Sequence, residues 1–285
     1  MAFSAKEGLL LLVWCCLAFS GVKGAQWGKV HIPQKGNSGL YCEDVSFSKS
    51  FTKGSPVRVY ISANHGEIPS KVHDTSFIWV EDVTTSGFKA CLVLGGQGNG
   101  GNTSIDWFAF QGSQSGVYDG SASFSLFTTG TQCKKVIFPK AFSTIPTVQV
   151  TVQHGTKKQK QDAMHVWMEN VTINQFEVCL RESRALDGGH NKIVVNWLAY
   201  ENYSSSWEAK ESHKLVFLKS EVPAAENNYA LCMTIKFKEP FFKSPVVLAT
   251  VLNGDSNNGN VACSHKGPLA NWLEVQFLHI LKKKK

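Results

Sequence analysis

The chain has 285 residues, 43% of them apolar and 18% charged, with a formal charge of +7. One of those charges sits in the first 24 residues and four in Lys282–Lys285, so the body between is close to neutral, which excludes nucleic acid as a partner on bulk charge. Beyond the N-terminus no apolar run approaches the ~20 residues of a membrane helix, so no membrane span is expected.

Residues 1–24 read as a secretory signal. Lys6 lies in a short polar start, Leu9 to Phe19 form an apolar core, and Val22 and Gly24 are small enough for cleavage before Ala25. The expected location is therefore secreted, extracellular. Of eight cysteines, Cys15 and Cys16 leave with the signal. The even remainder in an exported chain argues for disulfides. Sequons at Asn102, Asn170 and Asn202 fit a glycoprotein.

Ala25 to Tyr41 carries no firm pattern. From Cys42 onward, apolar residues recur at every second position, the mark of strands with one buried face. The pattern then repeats. Val45, Phe47 and Phe51 answer to Val136, Phe138 and Phe142 at one constant offset, and Val57, Val59 and Ile61 answer to Val148, Val150 and Val152 at the same offset. Trp79, Phe88 and Cys91 correspond to Trp167, Phe176 and Cys179, and Ile105-x-Trp107-x-Ala109 to Val195-x-Trp197-x-Ala199. A further alternating run around Phe124 and Phe127 suggests an extra strand before the next repeat. A third copy begins at Cys232 with Ile235, Phe237, Phe241 and Pro245. In it Leu273-Glu274-Val275 echoes Phe176-Glu177-Val178, and no third Trp-x-Ala strand follows. The expected division is 1–24 signal, 25–131 repeat 1 with its lead-in, 132–230 repeat 2, and 231–285 a partial repeat 3. Three readings of the terminal lysines stand: a solvated tail, a contact with an anionic surface at about 1 kcal/mol per Lys, or the product of a poly-A tract. The third is preferred, because a sheet lacking its last strand leaves an open edge.

The cysteines follow the repeat. Cys42, Cys133 and Cys232 open the three copies, and Cys91 and Cys179 share one position. The expected pairs are Cys42–Cys91 and Cys133–Cys179, with Cys263 left as the partner of Cys232.

The richest polar cluster is the loop from Arg181 to Asn191. Arg181, Arg184, Asp187, His190 and Asn191 offer donors and acceptors suited to sugar hydroxyls, set on a rigid β scaffold. The bland alternative is a solvated hairpin in which Asp187-Gly188-Gly189 supplies the turn. The matching loop Gly95–Gly101 fits a dinucleotide fingerprint by letter but precedes no helix. Asp255–Gly259 begins like a calcium loop, yet its twelfth position is Lys266 rather than Glu. His65-Gly66 and His154-Gly155 form no metal spacing. Trp79, Trp107, Trp167 and Trp197 fall at core positions of strands. No nucleophile–base motif is visible, so the chain reads as not an enzyme, with neither cofactor nor metal.

The repeated order Phe-x3-Phe, Pro before an alternating strand, a Val-Thr turn, Phe-x-x-Cys and Trp-[Leu/Phe]-Ala-[Tyr/Phe] resembles the H-type lectin domain of invertebrate agglutinins and discoidin C-terminal domains. In the second copy these are Phe138, Phe142, Pro146, Val171-Thr172, Phe176, Cys179 and Trp197-Leu198-Ala199-Tyr200. The resemblance implies an all-β fold of tandem antiparallel β-sandwiches, the third incomplete. It also implies binding of galactose-type sugars, commonly N-acetylgalactosamine, by trimers with sites near subunit contacts. The agglutinin pattern's Arg is replaced by Thr75 and Ala163, and its Trp-His pair by Gly95-Gly96 and Ser183-Arg184. The expected function is non-catalytic carbohydrate binding with glycans or glycoproteins as partners. The alternative is a structural or adhesive component of an extracellular, mineralised or unmineralised, matrix. Assembly is expected either as a pseudo-trimer within one chain or as a homo-oligomer.

Overall fold

The computed structural model describes residues 24–33, 39–65, 76–94, 103–112, 115–155, 163–182, 189–190, 192–201, 209–218, 234–237, 241, 244–253 and 272–280. Residues 1–23, which hold nearly all of the expected signal, and Asn102, Asn202, Cys232, Cys263 and Lys282–Lys285 lie outside the described residues. Among them every regular element is a strand, and no helix is long and apolar enough to cross a membrane.

Among the described residues fifteen strands fall into three groups along the chain. The first holds β1 (Ala25–His31), β2 (Leu40–Ser46), β3 (Val57–Asn64), β4 (Ser76–Glu81), β5 (Gly87–Leu94) and β6 (Ser104–Gln111). The second holds β7 (Val117–Phe124), β8 (Thr131–Ile137), β9 (Thr147–His154), β10 (Met164–Glu169), β11 (Gln175–Glu182) and β12 (Ile193–Tyr200). The third holds β13 (Ala209–Leu218), β14 (Val246–Asn253) and β15 (Trp272–Ile280). The sheet orders are β1-β6-β3, β2-β5-β4-β9-β12-β7 and β13-β15-β14-β10-β11-β8. The same antiparallel trio recurs three times: β6 lies between β1 and β3, β12 between β7 and β9, and β15 between β13 and β14. The second and fifth strands of the two complete groups pair likewise, β2 with β5 and β8 with β11.

Alternation explains which face each strand buries. In the first group Val45, Phe88, Ala90 and Leu92 meet Val59, Ile61, Trp107 and Ala109 across a two-layer core. In the second, Val136, Phe176, Val178 and Leu180 meet Val148, Val150, Trp197 and Ala199. The Phe-x3-Phe signal is an edge-to-face ring pair: Phe47–Phe51 and Phe138–Phe142 both at 4.9 Å and 82°, and Phe237–Phe241 at 4.6 Å and 80°. Such pairs contribute about 0.5–1.5 kcal/mol beyond area burial. The Val-Thr signal is a hairpin turn. The Thr84 hydroxyl accepts from the amides of Ser86 and Gly87, and Thr172 does the same for Asn174 and Gln175.

Among the described residues there are two disulfides, Cys42–Cys91 and Cys133–Cys179, each joining residues directly opposite in the β2/β5 or β8/β11 pair. They match the expected pairs and stabilise by roughly 3–4 kcal/mol each in the chain-entropy model.

Three features depart from the sequence reading. The lead-in contains β1, which pairs with β6 along its whole length. The β3-to-β9 offset is two residues smaller than the alternation suggests, because Ile61 faces Trp107 while Val150 faces Trp197. A period of two leaves a slip of two residues silent, since the buried face is unchanged. Finally, β15 does not take the place of β11. It pairs with β13 and β14, with Phe277 opposite Ala249 and His213, as Trp197 lies opposite Val150 and Gly120. A last strand for the third group is therefore present, with Gln276-Phe277-Leu278 where the second group has Asn196-Trp197-Leu198.

The groups are stitched in a ring around β3, β9 and β14. The Ile61 amide donates to Thr151 Oγ1 at 3.0 Å, the Val150 amide to Thr250 Oγ1 at 3.2 Å, and the Ala249 amide to Ser62 Oγ at 2.7 Å. Parallel bridges run from β4 to β9 (Val80 to Gln153) and from β10 to β14 (Met168 to Leu252). Arg58 spans to Asp119 (2.7 Å) and Asn196 (3.1 Å), and the Val247 amide donates to Asp106 (3.0 Å). Tyr60, Phe108, Phe110, Leu198, Tyr200 and Leu248 form the apolar cluster inside this ring. The Tyr60 hydroxyl donates to the Trp197 carbonyl at 2.9 Å, and burial, then the Asp119 charge, raises its pKa well above the usual phenol value.

One close approach is sequence-dictated. A Cβ on Gly120 would stand 2.8 Å from the Trp197 indole nitrogen and closer still to its ring carbons; Gly28 stands in the same relation to Trp107, at 2.9 Å. Gly120→Ala is expected to lower unfolding free energy by about 1–3 kcal/mol, as overpacking does, with Gly28→Ala less costly. Urea titration of both variants measures the difference.

Candidate functional site

The loop joining β11 to β12 leaves the sheets at Glu182 and returns at Ile193. Both its feet are pinned. The Glu182 amide donates to the Gly130 carbonyl at 3.2 Å. The amides and carbonyls of Phe127 and His190 exchange two hydrogen bonds, at 3.2 and 2.8 Å, and the Gly155 amide donates to Lys192 at 3.2 Å. Lys192 adopts a left-handed conformation, φ 54°, which turns the chain back into β12.

His190 is fully buried. Its Nε2 contacts the carboxylate of Glu182, itself 5% exposed, and its ring lies 4.8 Å from Phe127 and 6.4 Å from His154. His154 in turn lies 5.7 Å from Trp79 on β4 of the first group. Buried polar groups hold their place by such pairing. His190 therefore locks the loop from beneath, and its ring is turned into the protein rather than toward solvent.

Arg181 is half-buried on β11, opposite His165 on β10 and Thr131 on β8. Arg184, Asp187 and Asn191 lie outside the described residues. Asn170 is exposed on the β10–β11 hairpin, φ 51°, with its amide donating to Glu177 at 3.0 Å. Its accessibility suits the sequon. Cys42, Cys91 and Glu81 come within 4.8 Å of one another, but the two sulfurs share a disulfide and offer no thiolate to a metal.

Two side chains escaped the sequence reading. Glu182 sits at an inward position of β11, and only the fold shows that His190 reaches it. His165 stands where the first group has Phe77, since Trp79 faces Cys91 and Trp167 faces Cys179 in the same register. The two rings meet edge-on at 4.9 Å. Burial, then the Arg181 charge, pushes the His165 pKa down from 6.5 to about 4.

The first two groups are two-layer β-sandwiches, and the second carries the loop with the pinned feet at one end. A family model of the H-type lectin domain matches residues 133–200, from Cys133 on β8 to the end of β12, which supports placing this stretch with the H-type lectin domains. No match to the chain is found among curated proteins or among solved structures.

Because the folded-state pKa of His165 lies below its unfolded value, the unfolded chain binds the extra proton between pH 6.5 and about 4. The stabilisation is complete above pH 6.5 and declines as pH falls through that window, by on the order of 3 kcal/mol. Thermal melts from pH 7 to 4 are expected to show this decline, and His165→Phe to flatten it.

Proposed function

We propose that the protein is a secreted, non-catalytic binder of galactose-type sugars. The observation that supports this reading is the clamped loop within the H-type lectin domain: Glu182, His190 and Lys192 fix both feet of a segment whose tip is dense in hydrogen-bonding groups. A preorganised loop loses less entropy when it meets a ligand. In this reading Arg184, Asp187 and Asn191 supply direct contacts to sugar hydroxyls, Arg181 braces them, and His190 acts from below as a positioning residue. Glycans or glycoproteins are the partners, and Asn102, Asn170 and Asn202 carry glycans of the protein's own. Cys232 pairs with Cys263 in the third group.

Immobilised N-acetylgalactosamine is expected to retain the protein and free sugar to elute it. Arg184→Ala with Asp187→Ala should weaken binding by roughly tenfold or more, the worth of one or two charge-assisted hydrogen bonds, without lowering the melting temperature. No binding to any sugar on a glycan array at high protein concentration would sink the reading.

A second reading, an adhesive or structural component of an extracellular matrix, is favoured by one observation. Ile137 and Ile173 are 71% and 38% exposed on the second group, while the register-matched positions of the first are Ser46 and Thr85. A silent glycan array together with sedimentation alongside insoluble matrix would favour it.

We also propose that the three strand groups are tandem H-type-lectin-like units that close a trimer-like ring within one chain. The cyclic order Ile61 to Thr151, Val150 to Thr250 and Ala249 to Ser62 supports this. Light scattering is expected to give the mass of a single chain; a stable homotrimer would refute it.

A further inference from the structure

Where β3, β9 and β14 converge, with β4 and β10 completing the wall, lies a cavity of 310 Å³. It belongs to no single group of strands: Ile61 and Phe77 come from the first, Val152 and Trp167 from the second, and Val251 from the third. It is far from empty of polar atoms, but most are engaged. The Ser62, Thr151 and Thr250 hydroxyls accept the three strand amides of the ring, and Thr250 also donates to Gln149 at 2.8 Å. Ser76 bonds to His65. His165 remains, half-buried, with its ring against Phe77 and its imidazole on the cavity wall.

We infer that this cavity is a binding site for one uncharged, largely apolar small molecule bearing a single hydroxyl or carbonyl, which His165 hydrogen-bonds. Three observations lead there. The volume lies at the low end of small-ligand pockets, and the lining is apolar with few convergent polar groups, as such pockets are. A mainly apolar cavity holds water poorly, because each water needs two to four polar partners. The imidazole occupies the position that the first group fills with Phe77, so an apolar ring fits that place in the fold and the second group has put a hydrogen-bonding ring there instead. Burial and the facing Arg181 keep that imidazole neutral at ordinary pH, leaving it one donor and one acceptor nitrogen. The charge of Arg181 adds a further reason why a cationic ligand does not suit the site. Sugars do not suit it either, since a ring of hydroxyls would leave most of its polar groups unpaired against Ile61, Val152 and Val251.

The test uses the full mature chain and two probes of the same shape, naphthalene and 1-naphthol, titrated by calorimetry or by quenching of tryptophan fluorescence. Saturable binding of one molecule per chain is expected. The naphthol should bind roughly three- to tenfold tighter, the worth of one hydrogen bond, and N-acetylgalactosamine should displace neither. His165→Phe is expected to keep naphthalene binding and abolish the preference for the naphthol. His165→Trp, which fills the space, should abolish both, with thermal melts showing that each variant is folded. Absence of saturable binding to the wild-type chain overturns the proposal. So does equal binding of the two probes, a preference that survives His165→Phe, or undiminished binding in a folded His165→Trp variant.

Discussion

The ring depends on how β3, β9 and β14 dispose of the backbone amides that point away from their own sheets. Among the described residues β3 is an edge strand, and its Ile61 amide faces a neighbouring group rather than water. A buried amide without a partner costs about 1–3 kcal/mol. The structure meets this demand with a hydroxyl borrowed from the next group, three times in one rotational sense. Each of those hydroxyls is one residue past an amide that needs one, so a single β-strand both gives and takes. That spacing suits Ser or Thr, whose short side chains reach a neighbouring backbone without spare length. Edges that would invite open-ended pairing are thereby turned on each other.

Everything outside the ring follows from ordinary strand alternation. Residues of one parity face the core of their own sandwich, and those of the other parity face the next group. Phe77 and Trp79 on β4 thus belong to the cluster that contains Val148 and Val152 of β9, while Ile78 between them and Val80 after them face inward to Ile61 and Trp107. The disulfides and the clamped loop lie on this frame. Trp79 and Trp167 each direct the indole N–H to a glutamate two residues on, Glu81 at 2.9 Å and Glu169 at 2.7 Å, beside the half-cystine of the neighbouring strand. At the exposed end of the second sandwich, Glu201 accepts from the Thr144 amide and the Ser143 hydroxyl, which lowers its pKa and ties down the loop after Phe142.

Much of this fold was legible in the residues, and the reasons are specific. Cys42, Cys91, Cys133 and Cys179 could be paired because their spacing repeats, and the strand registers place each pair directly opposite. The Phe-x3-Phe and Val-Thr signals mark local geometry, so they survive translation into structure. The β3-to-β9 register and the place of β15 were less legible because the alternation of Val, Ile and Leu is degenerate under a shift of two. Leu273-Glu274-Val275 matches a β11-like strand by letter, and only pairing with β13 and β14 shows where it lies. The site was less legible still. His190 looked like a polar loop residue, yet its environment is set by Glu182 eight positions away and by Phe127 from an earlier turn. His165 carried no signal at all, since a single histidine in an alternating strand differs little from its neighbours until the facing strand is known.

A ring closed within one polypeptide has an evolutionary freedom that a ring of identical copies lacks. In an assembly of copies, any substitution near the axis arrives three times at once and must be tolerated at every station. Here each station varies alone: Ser62, Thr151 and Thr250 serve one role with different residues, and Phe77 and His165 share a position without sharing a chemistry. The cavity between the groups can therefore carry one imidazole where its counterpart from the first group is a phenyl ring. Exact rotational symmetry would forbid that arrangement, because it would force three imidazoles into the same confined space.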